Sequence, residues 1–137
     1  MKRSGFTLIE LMIVVVIIVA LASMVVPRLS GRTEQAKKAV AKADVSSNIS
    51  MALKLYELDN GNFPTTEQGL DALITAPSSA PVPTNWNGPY LENIPLDPWG
   101  NPYKYKCPGT TNKTTYDLCS IGKDASENTD DDVKNWK

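Results

Sequence analysis

The chain of 137 residues has no histidine. That removes the commonest general base, the commonest transition-metal ligand and any Ser-His or Cys-His pair. Its two cysteines, Cys107 and Cys119, are too few for a zinc site without histidine. A charge excess is also missing, since 14 Lys and Arg stand against 15 Asp and Glu for a net charge of −1. No global basic surplus is available to hold nucleic acid, and no acidic block is large enough to imply disorder. Carboxylates occur without a convergent pair at an identifiable spacing, so the chain reads as non-enzymatic. Glycine is absent between Gly5 and Gly31.

What is there is unevenly placed. From Leu8 to Val26 only Glu10 and Ser23 are polar, and nine of the ten prolines come after Pro27. At about 1.5 Å of helical rise per residue, Phe6 to Val26 extends roughly 30 Å, enough to cross a bilayer. A secretory signal peptide is the plainer reading: Lys2 and Arg3 precede the run, and Ala20-Leu21-Ala22 passes as a cleavage site. Against it stand Glu10 at the front of the run and a helical pattern that continues past Pro27. Flanking charge alone leaves orientation open, because Arg28, Arg32, Lys37, Lys38 and Lys42 follow the span. The cysteine pair favours an oxidising compartment, so the domain is expected to be exported.

Beyond Pro27 the series Leu29, Ala36, Val40, Ala43, Ile49, Leu53, Tyr56 predicts an amphipathic helix from about Arg28 to Leu58. It ends at Asp59-Asn60-Gly61-Asn62, and Pro27 is expected to kink it. Thr65 and Gln68 have capping-box spacing before a short helix through Leu70, Leu73 and Ile74. A proline-rich loop follows, with Trp86 and Tyr90 as anchors onto the helix, then a turn over Asp97-Pro98-Trp99-Gly100-Asn101-Pro102. Tyr103 to Lys106 and Thr115 to Ile121 predict two strands. The fold class is α+β: a long N-terminal helix, half apolar and half amphipathic, against a small C-terminal antiparallel sheet and loops. Trp99, Tyr103 and Tyr105 read as local core ahead of a stacking platform. The Lys37–Lys42 stretch reads as a solvated face or subunit interface ahead of a lipid or nucleic-acid site. A Cys107–Cys119 disulfide is expected across the strands, since Pro108-Gly109 and several threonines can turn the chain back; two free thiols are the alternative.

Gly5-Phe6-Thr7-Leu8-Ile9-Glu10 behind a short basic leader resembles the type IV prepilin processing motif. Downstream, Tyr56 to Gly61, Phe63 to Leu70, Leu96 to Gly100 and Ser120-Ile121-Gly122-Lys123-Asp124 through Trp136 resemble major pseudopilins of bacterial type II secretion systems. The paired cysteines are commoner in true type IV pilins, which stand as the alternative, with a cleaved secreted calcium-binding protein as a second. The resemblance implies a leader over 1–5, a transmembrane and filament-core helix over 6–27, and a periplasmic domain over 28–137. It implies a membrane peptidase that cuts between Gly5 and Phe6, and methylation of Phe6.

It also implies a structural subunit of a helical homopolymer in the periplasm, working with minor pseudopilins and an inner-membrane platform, with no nucleic-acid partner. Glu10 would pair with the new α-amine of Phe6 in an adjoining subunit, because an unpaired carboxylate at depth costs roughly 2.5–3.5 kcal/mol. Pro27 matches the family's helix proline, where local melting accompanies assembly.

Asp124, Glu127, Asp130, Asp131 and Asp132 read, by composition alone, either as a solvated acidic tail or as a cation site. An EF-hand fails, because Thr129 stands where its glycine belongs and Asn135 where its glutamate belongs. The resemblance instead implies calcium held by the carboxylates of Asp124, Asp131 and Asp132, the carbonyls of Ile121 and Ser126, and the Thr129 hydroxyl. Ala125 replaces the family's usual glycine there.

Overall fold

The computed structural model describes residues 5–137, apart from the side chains of 26–30. The chain divides into two compact units, Met1–Ala36 and Lys37–Lys137. Helix α1, Leu8–Ala43, begins in the first and ends in the second. Its apolar stretch is dense in β-branched Val and Ile, which gain little from helix in water. In an apolar solvent, however, every backbone N–H and C=O must be satisfied within the segment, and a helix does that. Lys2 and Arg3 of the expected leader lie outside the described residues, as does the side chain of Pro27, and with it the expected kink.

In the second unit α1 passes into a π-helical turn, Asp44–Asn48, and then helix α2, Ile49–Asn60. The stripe read across Ala43 and Ile49 therefore merges two phases. Ala41 before the wide turn and Val45 within it are the buried positions, while Val40 is 53% exposed. One extra residue per turn accounts for the offset. The turn is tied down from outside the helix. The Tyr103 hydroxyl donates to Asp44 Oδ2 at 2.8 Å, and the Tyr116 hydroxyl donates to Ser50 Oγ, which donates in turn to the Val45 carbonyl. Gly61 ends α2 at φ 79°, its N–H reaching the Glu57 carbonyl, a left-handed cap that suits glycine.

The Thr65–Gln68 capping box forms reciprocally: Gln68 N–H donates to Thr65 Oγ1 and Thr65 N–H to Gln68 Oε1. It leads into a 3₁₀ turn, Leu70–Leu73. Tyr90 anchors the proline-rich connection to α2, donating to Asp59 Oδ2 at 2.7 Å, while the Trp86 indole donates to the Ala72 carbonyl. Strands β1 (Lys104–Lys106), β2 (Asp117–Ser120) and β3 (Val133–Lys134) form an antiparallel sheet in the order β1-β2-β3. Leu53, Tyr56, Leu73, Tyr116 and Leu118 belong to the core between helix and sheet.

Asp117 is 7% exposed, yet it is fully used. It accepts backbone N–H groups from Thr110 and Thr111 on Oδ2 and from Asn112 on Oδ1, which holds the β1–β2 connection. Burial pushes its pKa up, but those three donors and Lys106 outweigh that and leave it below the usual value.

Candidate functional site

The residues expected from the sequence to be functional fall in two regions: the start of α1 and the loop between β2 and β3. The segment Leu8–Val25 is long and apolar enough to cross a membrane, and none of it is buried in the chain. At its head Thr7 N–H and Thr7 Oγ1 each donate to Glu10 Oε2 at 2.8 Å, and Glu10 N–H donates back to Thr7 Oγ1 at 3.3 Å. This is a capping box that satisfies two helix-end donors and fixes the carboxylate on Thr7, at the head of the helix. The Thr-x-x-Glu spacing of Thr7 and Glu10 is the sequence signal for this box, in which Thr7 is the partner that composition and hydropathy do not point to. With the peptide bond after Gly5 intact, Phe6 has no free amine, and one face of Glu10 is already engaged.

The second region gathers most of the implied calcium ligands. Thr129 Oγ1 lies 2.6 Å from Asp131 Oδ1, 3.3 Å from Asp132 Oδ1, 3.4 Å from Asp124 Oδ1 and 3.3 Å from the Ser126 carbonyl. A hydroxyl has one hydrogen, so it satisfies one of these four oxygens. The outer oxygens are positioned by backbone: Asp131 Oδ2 accepts from Lys123 and Asp124, and Asp132 Oδ2 accepts from Asn128 and faces Lys134 Nζ at 3.0 Å. Thr129 first, then the Asp124 N–H, hold the Asp131 carboxyl down at about 2.

Ile121 is 7% exposed at the end of β2. Beside it, a Cβ on Gly122 would collide with the Asp131 carboxylate, so glycine is required for that approach. Ala125 takes φ 54°, the conformation for which the expected glycine is suited. Among the described residues no three acidic, imidazole or thiol side chains meet in ready metal-ligand geometry. The carboxylates converge on Thr129 instead, and the set is all oxygen, the donor chemistry of Ca²⁺.

The expected disulfide is corrected. Cys107 and Cys119 are free. Cys119 pairs in register with Lys104, whereas Cys107 follows the end of β1 at Lys106, opposite Asp117. Three residues of strand separate the two by about 10 Å along the sheet, and the odd number puts them on opposite faces. Cys107 packs against the core with Tyr105. Burial raises both thiol pKa values, that of Cys119 to about 11 with further repulsion from Asp132 and Glu127, so neither is an activated nucleophile.

An apolar, unburied N-terminal helix that runs on into a small α+β domain defines the pilin-like class of membrane-anchored filament subunits. Comparison with known proteins makes the assignment narrower. Residues 28–136 match the family described as Type II secretion system (T2SS), protein G, and residues 1–26 match the prokaryotic N-terminal methylation motif. The type II secretion system core protein G of Pseudomonas aeruginosa is 50% identical, over 98% of this chain and 96% of that protein. That of Escherichia coli K12 is 46% identical, over 98% and 92%. A crystal structure of the major pseudopilin from the type 2 secretion system of enterohaemorrhagic Escherichia coli superposes with a TM-score of 0.70 at 38% identity, covering 79% of this chain and 89% of that one.

The chain belongs to the type II secretion system protein G family. It is a structural subunit of the pseudopilus, the filament of type II secretion. The free thiols also remove the feature that favoured a surface pilin.

Proposed function

We propose that the chain is made as a membrane-anchored precursor, cut between Gly5 and Phe6 by a prepilin peptidase, and methylated on Phe6. The bare Leu8–Val25 helix carries this reading, since a helix that buries nothing against its own domain needs lipid before assembly and other copies afterwards. Head-to-tail contacts repeated by a non-closing rotation then give a helical filament. Cleavage frees an α-amine at Phe6, and the Thr7 box holds Glu10 at the helix start, where an amine from an adjoining subunit would complete its charge. The globular domain faces the periplasm. Minor pseudopilins and the inner-membrane platform are its further partners, nucleic acid is not, and its role is mechanical, without catalysis. Glu10→Ala should leave cleavage and membrane insertion intact and abolish most fibre formation. Normal fibres from that variant would remove the proposed ion pair.

Calcium is the ion best matched to the loop, with Asp124, Asp131 and Asp132 as carboxylate ligands, Ser126 and Ile121 as carbonyl ligands and the Thr129 hydroxyl completing the set. When bound it supplies charge neutralisation and order in the loop after β2, and no chemistry. At 100 times its Kd it would add about 2.7 kcal/mol of stability. Thermal unfolding of the full chain in detergent, with calcium and with a chelator, tests this. Identical melting in both, with wild-type assembly by Asp124→Ala, would return the loop to a solvated tail.

A further inference from the structure

The negative charge of the acidic loop is not balanced within the loop. Asp124, Asp131 and Asp132 turn their Oδ1 atoms towards the single hydroxyl hydrogen of Thr129, so most of their charge is left for other groups to offset. Of the ion pairs among the described residues, one reaches this ligand set: Lys134 Nζ lies 3.0 Å from Asp132 Oδ2. The Asp132 side chain is 2% exposed and that of Lys134 is 25% exposed, so water and salt screen the pair poorly. Lys134 is also held in place. It stands on β3 opposite Cys119, and its ammonium is 5.8 Å from the Trp136 ring centroid, a cation–π contact. Lys104 faces Cys119 from β1, but it pairs with Glu127 at 3.4 Å, outside the ligand set.

We propose that the Lys134 ammonium is a built-in counter-ion, standing in for part of the calcium charge, that keeps the loop ordered without the ion and weakens calcium binding. This rests on the calcium reading of the loop and specifies a residue that sets its affinity. Lys134 is not needed to aim Asp132. The Asn128 N–H donates to the same Oδ2 at 2.8 Å and keeps Oδ1 turned towards Thr129. What the ammonium adds is charge. Without calcium it offsets a carboxylate that has almost no contact with water. With calcium it is a like charge, one carboxylate away from a divalent cation, and repels it. The same group therefore stabilises the loop without the ion and opposes binding of the ion, and the coupling is reciprocal.

The test uses the full chain in detergent, as wild type, Lys134→Met and Lys134→Arg. Methionine keeps an unbranched stem beside Trp136 and removes the charge, whereas arginine keeps the charge. Calcium chloride is titrated into each by calorimetry, and each is melted with calcium and with a chelator. Lys134→Met should bind calcium about tenfold more tightly than wild type, the weight of one nearby charge in a half-buried setting. In chelator it should melt about 4–8 °C below wild type, and saturating calcium should close most of that gap. Lys134→Arg should stay close to wild type in both readouts.

Calcium affinity of Lys134→Met equal to or below that of wild type would overturn the proposal, as would an equal tightening in Lys134→Arg. Calcium binding by none of the three proteins would remove the calcium reading itself, and this role for Lys134 with it.

Discussion

Replacing Asp117 by Asn changes little in shape and removes one charge from a site that accepts three backbone N–H groups. An amide has one acceptor oxygen, so it can face Thr110 and Thr111, or Asn112, but not both sets. In the better orientation, two charge-assisted bonds become neutral ones, at about 1 kcal/mol each, and the third is lost at about 1.5–3 kcal/mol. Thr110 and Thr111 lie in an exposed connection where water replaces part of this, so the net loss should be about 3 kcal/mol. For a domain of this size that is about 12–24 °C in Tm.

The pH dependence has a fixed sign. The carboxyl is held below its unfolded value, so its contribution is present above about pH 4 and disappears as pH falls through the folded pKa. The gap between wild type and Asp117→Asn should therefore be constant from neutral pH down to about pH 4 and close below it. Thermal melts of both proteins across that range decide the point. A loss under about 1 kcal/mol at pH 7, or a gap that widens in acid, would refute the reasoning.

Three further outcomes follow from local geometry. Both cysteines should alkylate fully under denaturing, non-reducing conditions, giving two adducts by mass, because Cys107 and Cys119 lie on opposite faces of the sheet. Ala125→Gly should raise stability by about 1 kcal/mol in chemical denaturation, since it relieves a non-glycine residue at φ 54°. Leu118→Ala, at a side chain with no exposed surface, should cost about 2–5 kcal/mol by the same measurement.

Features set by near neighbours in sequence were legible: the apolar helix, the Thr65–Gln68 box and the Gly61 stop. Those that depend on long-range placement were not. The two thiols are twelve positions apart, but whether they face each other is decided by strand register, and an odd offset reverses every side chain. The π turn has no mark in the apolar spacing, and the groups that bond to Asp44 within it and Ser50 just after it, Tyr103 and Tyr116, lie far along the chain. β3 has two residues and no pattern of its own, and it forms because Cys119 and Ser120 offer a free edge. The Thr7–Glu10 box is legible from its Thr-x-x-Glu spacing alone.

The most direct test is the intact mass of the subunit in fibres sheared from cells that carry the full secretion system. The account predicts a filament built of chains that begin at Phe6, 137 − 5 = 132 residues long, with one methyl group added. Soluble monomer beginning at Ser23, or an uncut chain confined to membranes without fibres, would contradict it.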